Sequence, residues 1–348
     1  MSERAGAAFT EVLSEQDTIG ATIPETGKGN GNATVTACDP AMPMVRSRLM
    51  NRSLIAVSSL VVALLVSTAP SAQDVPGGRG QGGGRAGRGG GRGAAPRTRK
   101  AVLAWADTRN GIAQHDSVSH ALSVIERLGY ESGLYDTYIR TDSNIISKQP
   151  TMTDGKPASG GPSLATVDAI FFLGHRDVPL NAQQKADLLS FVRDDGKGFV
   201  AAHTATTAFA DWPEFGDLIG ARYDGHPWNT VYGSVINEDP SFPATKHFPP
   251  VFAFTDEFYQ AQAYSRDKIR VLLRLDVAKL PPNPELHRTD GDFPLAWAKM
   301  YGKGRVFYSS LGHASSTWDN PDVYHMYFEA LKWSLGLSDA DVAPRPLK

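Results

Sequence analysis

From residue 100 onward the chain alternates short apolar runs with stretches of helical spacing. Lys100–Ala106 is a continuous apolar run ending at Asp107, the pattern of a buried strand. Val118, Ala121, Leu122, Ile125 and Leu128 then recur at helical intervals, and Gly129 predicts the helix stop. Tyr130–Tyr135 reads as a second strand, and residues 140–165, polar and rich in Gly and Pro, as a long loop. Val167–Leu173 is a third apolar run and leads into Gly174-His175. Asn181 with Gln184 predicts a capped helix reaching about Arg193. Gly198–Ala202 is a fourth run and ends at His203. Further on, Val231–Asn237 and Lys268–Leu275 read as strands. Leu295–Met300 and Gly304–Ser310 form a hairpin pattern, and Pro321 opens a last helix with Tyr324, Tyr327, Phe328, Leu331 and Leu335 on one face. Continuous apolar strands separated by helices imply an α/β fold, a parallel sheet with helices on both faces.

Ahead of residue 100 this pattern is absent. The apolar run Leu54–Ala69 follows Arg46, Arg48 and Arg52 and gives way to small residues up to Ala72. That order predicts a signal peptide over residues 42–72, and with it export to the periplasm or beyond. The run is short for a bilayer crossing, so no stable membrane span is expected. Residues 1–41 are polar and aperiodic; either they are disordered or the chain starts at Met42, Met44 or Met50. Residues 73–99 are dominated by Gly and Arg and have nothing apolar to bury, which predicts a disordered linker. Arginine–glycine runs can contact RNA, but behind an export signal a solubilising linker, or a contact to an anionic cell-surface polymer, fits better. One globular domain over 100–337 and a tail over 338–348 complete the organisation.

Charge and cysteine content narrow the function. The 348-residue chain has a net charge of −2, yet residues 73–100 hold seven basic groups against the single acid Asp74. The folded part is therefore acidic, and no nucleic-acid partner is expected for it. The one cysteine, Cys38, precedes the leader. A mature chain has no disulfide, no zinc–thiolate site and no thiol nucleophile.

Ligands of open parallel sheets bind at the carboxyl ends of the strands, where Asp107, His175, His203 and His313 fall. His115-Asp116-Ser117 opens a helix, whose free N–H groups favour a polar ligand group. Trp212-Pro-Glu-Phe, the stretch from Gly220 to Trp228 containing His226, and Thr255-Asp256-Glu257-Phe-Tyr259 set charges beside aromatics. That mixture suits carbohydrate, though the same aromatics also suit a core.

Several blocks resemble the ThuA-like (trehalose-utilisation) family. Gly196-Lys-Gly-Phe-Val-Ala-Ala-His203-Thr-Ala is similar to its signature around a strand-end histidine. Asp211-Trp-Pro-Glu-Phe, Gly220-Ala-Arg-Tyr and His226-Pro are similar to the segment that follows. Asp256-Glu257-Phe-Tyr259 resembles its acidic–aromatic motif. Pro294-Leu-Ala-Trp297, Gly302–Tyr308 and Leu311-Gly-His313 resemble its C-terminal signature. The blocks keep their order across 100–337. The resemblance implies a flavodoxin-like sheet of the class I glutamine amidotransferase type. The amidotransferase cysteine is missing, so thioester chemistry is not available. Thr204, Thr206 and Thr207 lie nearby, but no Gly-x-Ser-x-Gly elbow frames them.

The resemblance implies work on a small carbohydrate, trehalose-like or a keto-sugar. Two chemistries follow. In one, His203, His226, Glu257 and His313 hold a divalent metal such as zinc, manganese or iron. In the other, a histidine among His203 and His313 acts as base with Asp256 or Glu257 as partner and no metal. Asp107, His115, His175, Trp212, Tyr259 and Trp297 are the expected substrate contacts. The alternatives are a non-catalytic sugar-binding module and a tether acting through the Gly/Arg segment.

Overall fold

A computed structural model describes residues 97–347, apart from Asn110, Ile112 and residues 177–179. The expected leader over 42–72, the residues before it, Cys38 and the Gly/Arg segment up to residue 96 lie outside the described residues.

The first half of the domain follows the apolar pattern. Strand β1 (Lys100–Trp105) leads to helix α1 (Ser117–Ser132), then β2 (Tyr135–Arg140), β3 (Ala169–Phe172), α2 (Ala182–Arg193) and β4 (Gly198–Ala202). A single 3-10 turn (His203–Thr207) and α3 (Pro213–Ile219) come next. Asn181 caps α2 as its spacing predicts: its side chain accepts the Gln184 N–H, and the Gln184 side chain accepts the Asn181 N–H.

Gly129 does not end α1. The helix runs one turn further, to Gly133, whose left-handed φ of 67° caps it. The reason is packing. A Cβ at position 129 would lie 2.5 Å from the Tyr135 ring, so this glycine marks a close approach rather than a stop. The second strand accordingly starts at Tyr135 and not at Tyr130, which is exposed on the helix.

The second half is β5 (Arg222–Tyr223), β6 (Thr230–Asn237), β7 (Val251–Glu257), β8 (Ala261–Gln262), β9 (Arg270–Leu275), β10 (Pro294–Tyr301), β11 (Gly304–Ser309), α4 (Ser315–Asp319) and α5 (Pro321–Ser334). One sheet of nine strands runs β2-β1-β3-β4-β11-β10-β9-β6-β7, with β5 and β8 paired separately. The expected parallel sheet is its first five strands. Beyond β11 every pairing is antiparallel, because β10–β11 and β6–β7 are hairpins.

Alternate residues of β1 enter opposite faces. Val102 and Ala104 pack with α1, α4 and α5; Ala101, Leu103 and Trp105 pack with α2 and α3. Strands buried on both sides cannot show polar alternation, which is why β1, β3 and β4 read as unbroken apolar runs. The tail is tied down as well: Arg270 donates to Ala343 O and Arg305 to Ser338 O.

One departure from a flat sheet builds the site. Five strand spacings, about 24 Å, would separate β4 from β7 in a flat sheet. But β9 pairs only with Val235–Asn237 of β6, while β6 and β7 stay paired along their whole length. The far half of this ribbon therefore leaves the sheet, and β7 brings Asp256 and Glu257 back over the ends of β4 and β11.

Candidate functional site

His203 follows β4 directly, His175 lies three residues past the β3 end, and His313 lies in the turn between β11 and α4. His115 lies just before α1. These ring positions converge: the His115 ring centroid is 5.5 Å from His175, 5.0 Å from His203 and 4.8 Å from His313. Glu257 closes the group. Its Oε2 lies 3.9 Å from His115 Nε2, 3.5 Å from His203 Nε2 and 3.3 Å from His313 Nδ1, while Oε1 faces His226 Nε2 at 3.5 Å.

Asp256 and Glu257 diverge, as neighbours on a strand must. Glu257 faces the histidines. Asp256 is buried behind it and accepts N–H bonds from Gly312 (2.9 Å), His313 (3.1 Å) and Glu257 (2.8 Å). Its carboxylate shapes the His313 turn and does not line the cavity, so the expected acid–base role for Asp256 is replaced by a positioning one. Burial pushes its carboxyl up; the three N–H donors and His203 work against that.

His203 is fully buried and strained, with φ of 41°. Its Nδ1 donates to Ser310 O at 2.6 Å, and Tyr259 OH donates to its Nε2 at 2.9 Å. The carbonyl fixes the proton on Nδ1, so Nε2 carries a lone pair toward Glu257. His313 Nδ1 is buried with no hydrogen-bond partner. Burial also holds the His313 and His175 rings below the usual imidazole range. For Glu257 burial acts upward, but the His115, His203 and His226 rings gathered around it prevail. Its carboxyl lies well below the ordinary range.

His115, His203, Glu257 and His313 each offer one atom, all within 4.8 Å of one another, as a metal-binding set requires. Ligand atoms around tetrahedral zinc sit about 3.3 Å apart, so small side-chain movements would complete a shell. His115 takes the place expected for His226. His226 is more exposed, faces the other Glu257 oxygen and stands at the cavity wall.

Above the cluster opens a cavity of about 630 Å³, walled by His175, Arg176, Thr207, Tyr223, His226 and Gln262 among others. Tyr223 contacts Tyr259 edge-on, with ring centroids 4.7 Å apart. Burial and the Glu257 charge push the Tyr223 hydroxyl up to about 12, so it remains a proton-bearing donor.

Three expected contacts lie elsewhere. Asp107 accepts from Ser143 Oγ (2.7 Å) and Arg109 N (2.9 Å), which ties down the loop after β1. Trp212 packs among Phe209, Phe215 and Lys185. Trp297 is buried, stacks on Tyr308 and donates to Ile219 O at 2.7 Å. These aromatics belong to the core, and Tyr223, on β5, replaces them at the wall. Arg176, Tyr223 and Gln262 were not singled out in the sequence. Arg176 adjoins His175, and Tyr223 falls within the Gly220–His226 block, so position relative to the motifs was the available signal.

Parallel strands ending in this histidine group, with helices on both faces and no cysteine among them, define a flavodoxin-like domain of the class I glutamine amidotransferase type. The ThuA (trehalose utilisation) family model matches residues 101–334, and the chain belongs to that family. No curated protein matches the sequence. Among solved structures, a protein described as ThuA-like from Bacteroides uniformis superposes with a TM-score of 0.54 at 20% identity, covering 70% of this chain and 95% of that one. Another from Parabacteroides merdae gives 0.51 at 16% identity, covering 71% and 98%. At these identities the likeness establishes the fold. Among the described residues, no helix is long and apolar enough to cross a membrane.

Proposed function

We propose that this protein is an exported enzyme that binds a small carbohydrate in the 630 Å³ cavity, with a divalent metal held by His115, His203, Glu257 and His313. The observation that carries the reading is the set itself: three imidazoles and one carboxylate converge at the cavity base. Two features make it a fit for zinc, manganese or iron. His203 presents a lone pair whose tautomer is fixed from behind, and His313 presents a buried nitrogen with no hydrogen bond. A metal there would polarise an oxygen of the sugar. The chain supplies the rest. Tyr223 offers a hydroxyl donor, and His226, like His175 a wall imidazole outside the ligand set, faces Glu257 and is placed to hold or release a proton. Asp256 fixes the turn that aims His313.

The family name, trehalose utilisation, supports a sugar as the ligand. The basic, apolar and small residues over 42–72 support export, which amino-terminal sequencing of the protein from its native compartment would test.

The direct test is turnover of trehalose and of keto-disaccharides by the full chain supplied with zinc, manganese or iron. His226→Ala should lower kcat by about 10²–10⁴ and leave sugar binding within a few-fold of wild type, the loss expected for a general acid or base. Sugar binding without turnover under every metal would make the protein a binding module instead.

A further inference from the structure

Arg176 has no part in the catalysis proposed above. Arg176 lies on the cavity wall, is exposed, and makes no side-chain hydrogen bond or ion pair among the described residues. Its backbone is held firmly. The φ of 56° is left-handed, its N–H donates to Thr207 Oγ1 at 3.1 Å, and its carbonyl accepts the Phe209 N–H at 3.2 Å. An unfavourable conformation kept by bonds on both sides, in a non-glycine residue at a cavity, points to a positioned side chain.

The charge around it points the same way. Among the described residues the cavity wall carries the cations Arg176 and Arg222 and three histidines, and its single acid is Glu257. Glu257 is enclosed by histidines. Arg222 is committed, donating to the carbonyls of Ala208 and Trp212. Of the two described wall arginines, Arg176 is the one left to meet a ligand, in a cleft whose field favours negative charge although the domain as a whole is acidic.

Resting on the carbohydrate reading, we infer that the preferred ligand is a sugar acid, whose carboxylate pairs with the Arg176 guanidinium while its hydroxyls face the histidine cluster. The planar guanidinium fork suits a carboxylate bidentately, which a hydroxyl cannot match. Arg176 is on this account a specificity-determining residue.

Calorimetric titration of the full-length protein with D-glucuronate, D-glucose and inorganic phosphate tests this, together with Arg176→Gln and Arg176→Lys. The expected result is glucuronate binding about tenfold or more tighter than glucose, weakening with added salt. Arg176→Gln should abolish that preference, and Arg176→Lys should keep part of it. Equal binding of glucose and glucuronate would overturn the inference and leave the carbohydrate reading intact. So would a preference that survives Arg176→Gln, because the carboxylate would then be held at the histidine cluster. Phosphate binding tighter than glucuronate would overturn the carboxylate assignment. Binding of neither sugar would overturn the inference and the carbohydrate reading together.

Discussion

His203 Nδ1 lies 2.6 Å from the carbonyl oxygen of Ser310, across the ends of two neighbouring parallel strands. That bond decides what the other ring nitrogen can do. With the proton fixed on Nδ1, Nε2 can accept the Tyr259 hydroxyl, as it does at 2.9 Å, or bind a metal, but it cannot donate. The rest of the site is arranged around that direction, with Glu257 3.5 Å away and the His115 and His313 rings centred 5.0 Å and 5.4 Å from the His203 ring.

Asp256 holds the His313 turn through the Gly312 and His313 N–H groups. Asp256→Asn sets an amide against one of these donors. We expect a loss of about 1–3 kcal/mol in stability, from an unsatisfied buried donor. Metal affinity should fall about 10–100-fold, as for other groups that orient ligands from behind. Urea unfolding and competitive metal titration measure the two. Unchanged metal affinity would contradict the positioning role.

Acid should weaken the site in two stages. Burial holds the His313 ring below its ordinary 6.5, so the unfolded chain takes up its proton first as pH falls. Stability is complete above about pH 6.5 and declines as pH drops toward the depressed folded value. Glu257 is also depressed, from 4.5, so its contribution is present above pH 4.5 and is lost below it. Metal binding needs neutral imidazoles and should weaken over the first stage. Urea midpoints and metal affinity measured from pH 8 to 4 check this; stability rising between pH 6.5 and 5 would contradict it.

Gly129→Ala would ordinarily strengthen a helix by about 1 kcal/mol. Here the added Cβ would meet the Tyr135 ring at 2.5 Å and the Tyr135 carbonyl at 2.8 Å. The clash outweighs the propensity gain, and a net loss of about 1–3 kcal/mol is expected. A thermal melt at or above the wild-type midpoint would show that the helix and Tyr135 can separate at little cost.

The parallel half was legible because strands buried on both faces must be apolar throughout, and β1, β3 and β4 are. Their ends therefore located His175 and His203 correctly. Gly129 misled because a glycine at a close approach and a glycine at a cap look alike until Tyr135 is placed beside it. β7 went unread although Val251, Phe252, Ala253 and Phe254 form an apolar run, and with it the ribbon that leaves the sheet. Without that ribbon nothing in the spacing distinguishes His115 from His226 as the third imidazole, or shows that Asp256 and Glu257 face opposite ways. Trp212 and Trp297 were ambiguous for the opposite reason: a core tryptophan beside charges has the same local sequence as a sugar platform.

Elemental mass spectrometry of the full-length protein decides whether His115, His203, Glu257 and His313 hold a metal. After exposure to zinc, manganese or iron and removal of loose ions, we expect about one ion per chain, reduced to background in a His203→Ala/His313→Ala double variant that keeps its fold. A wild-type protein that retains no ion under any of the three, or a double variant that retains as much as wild type, would contradict it.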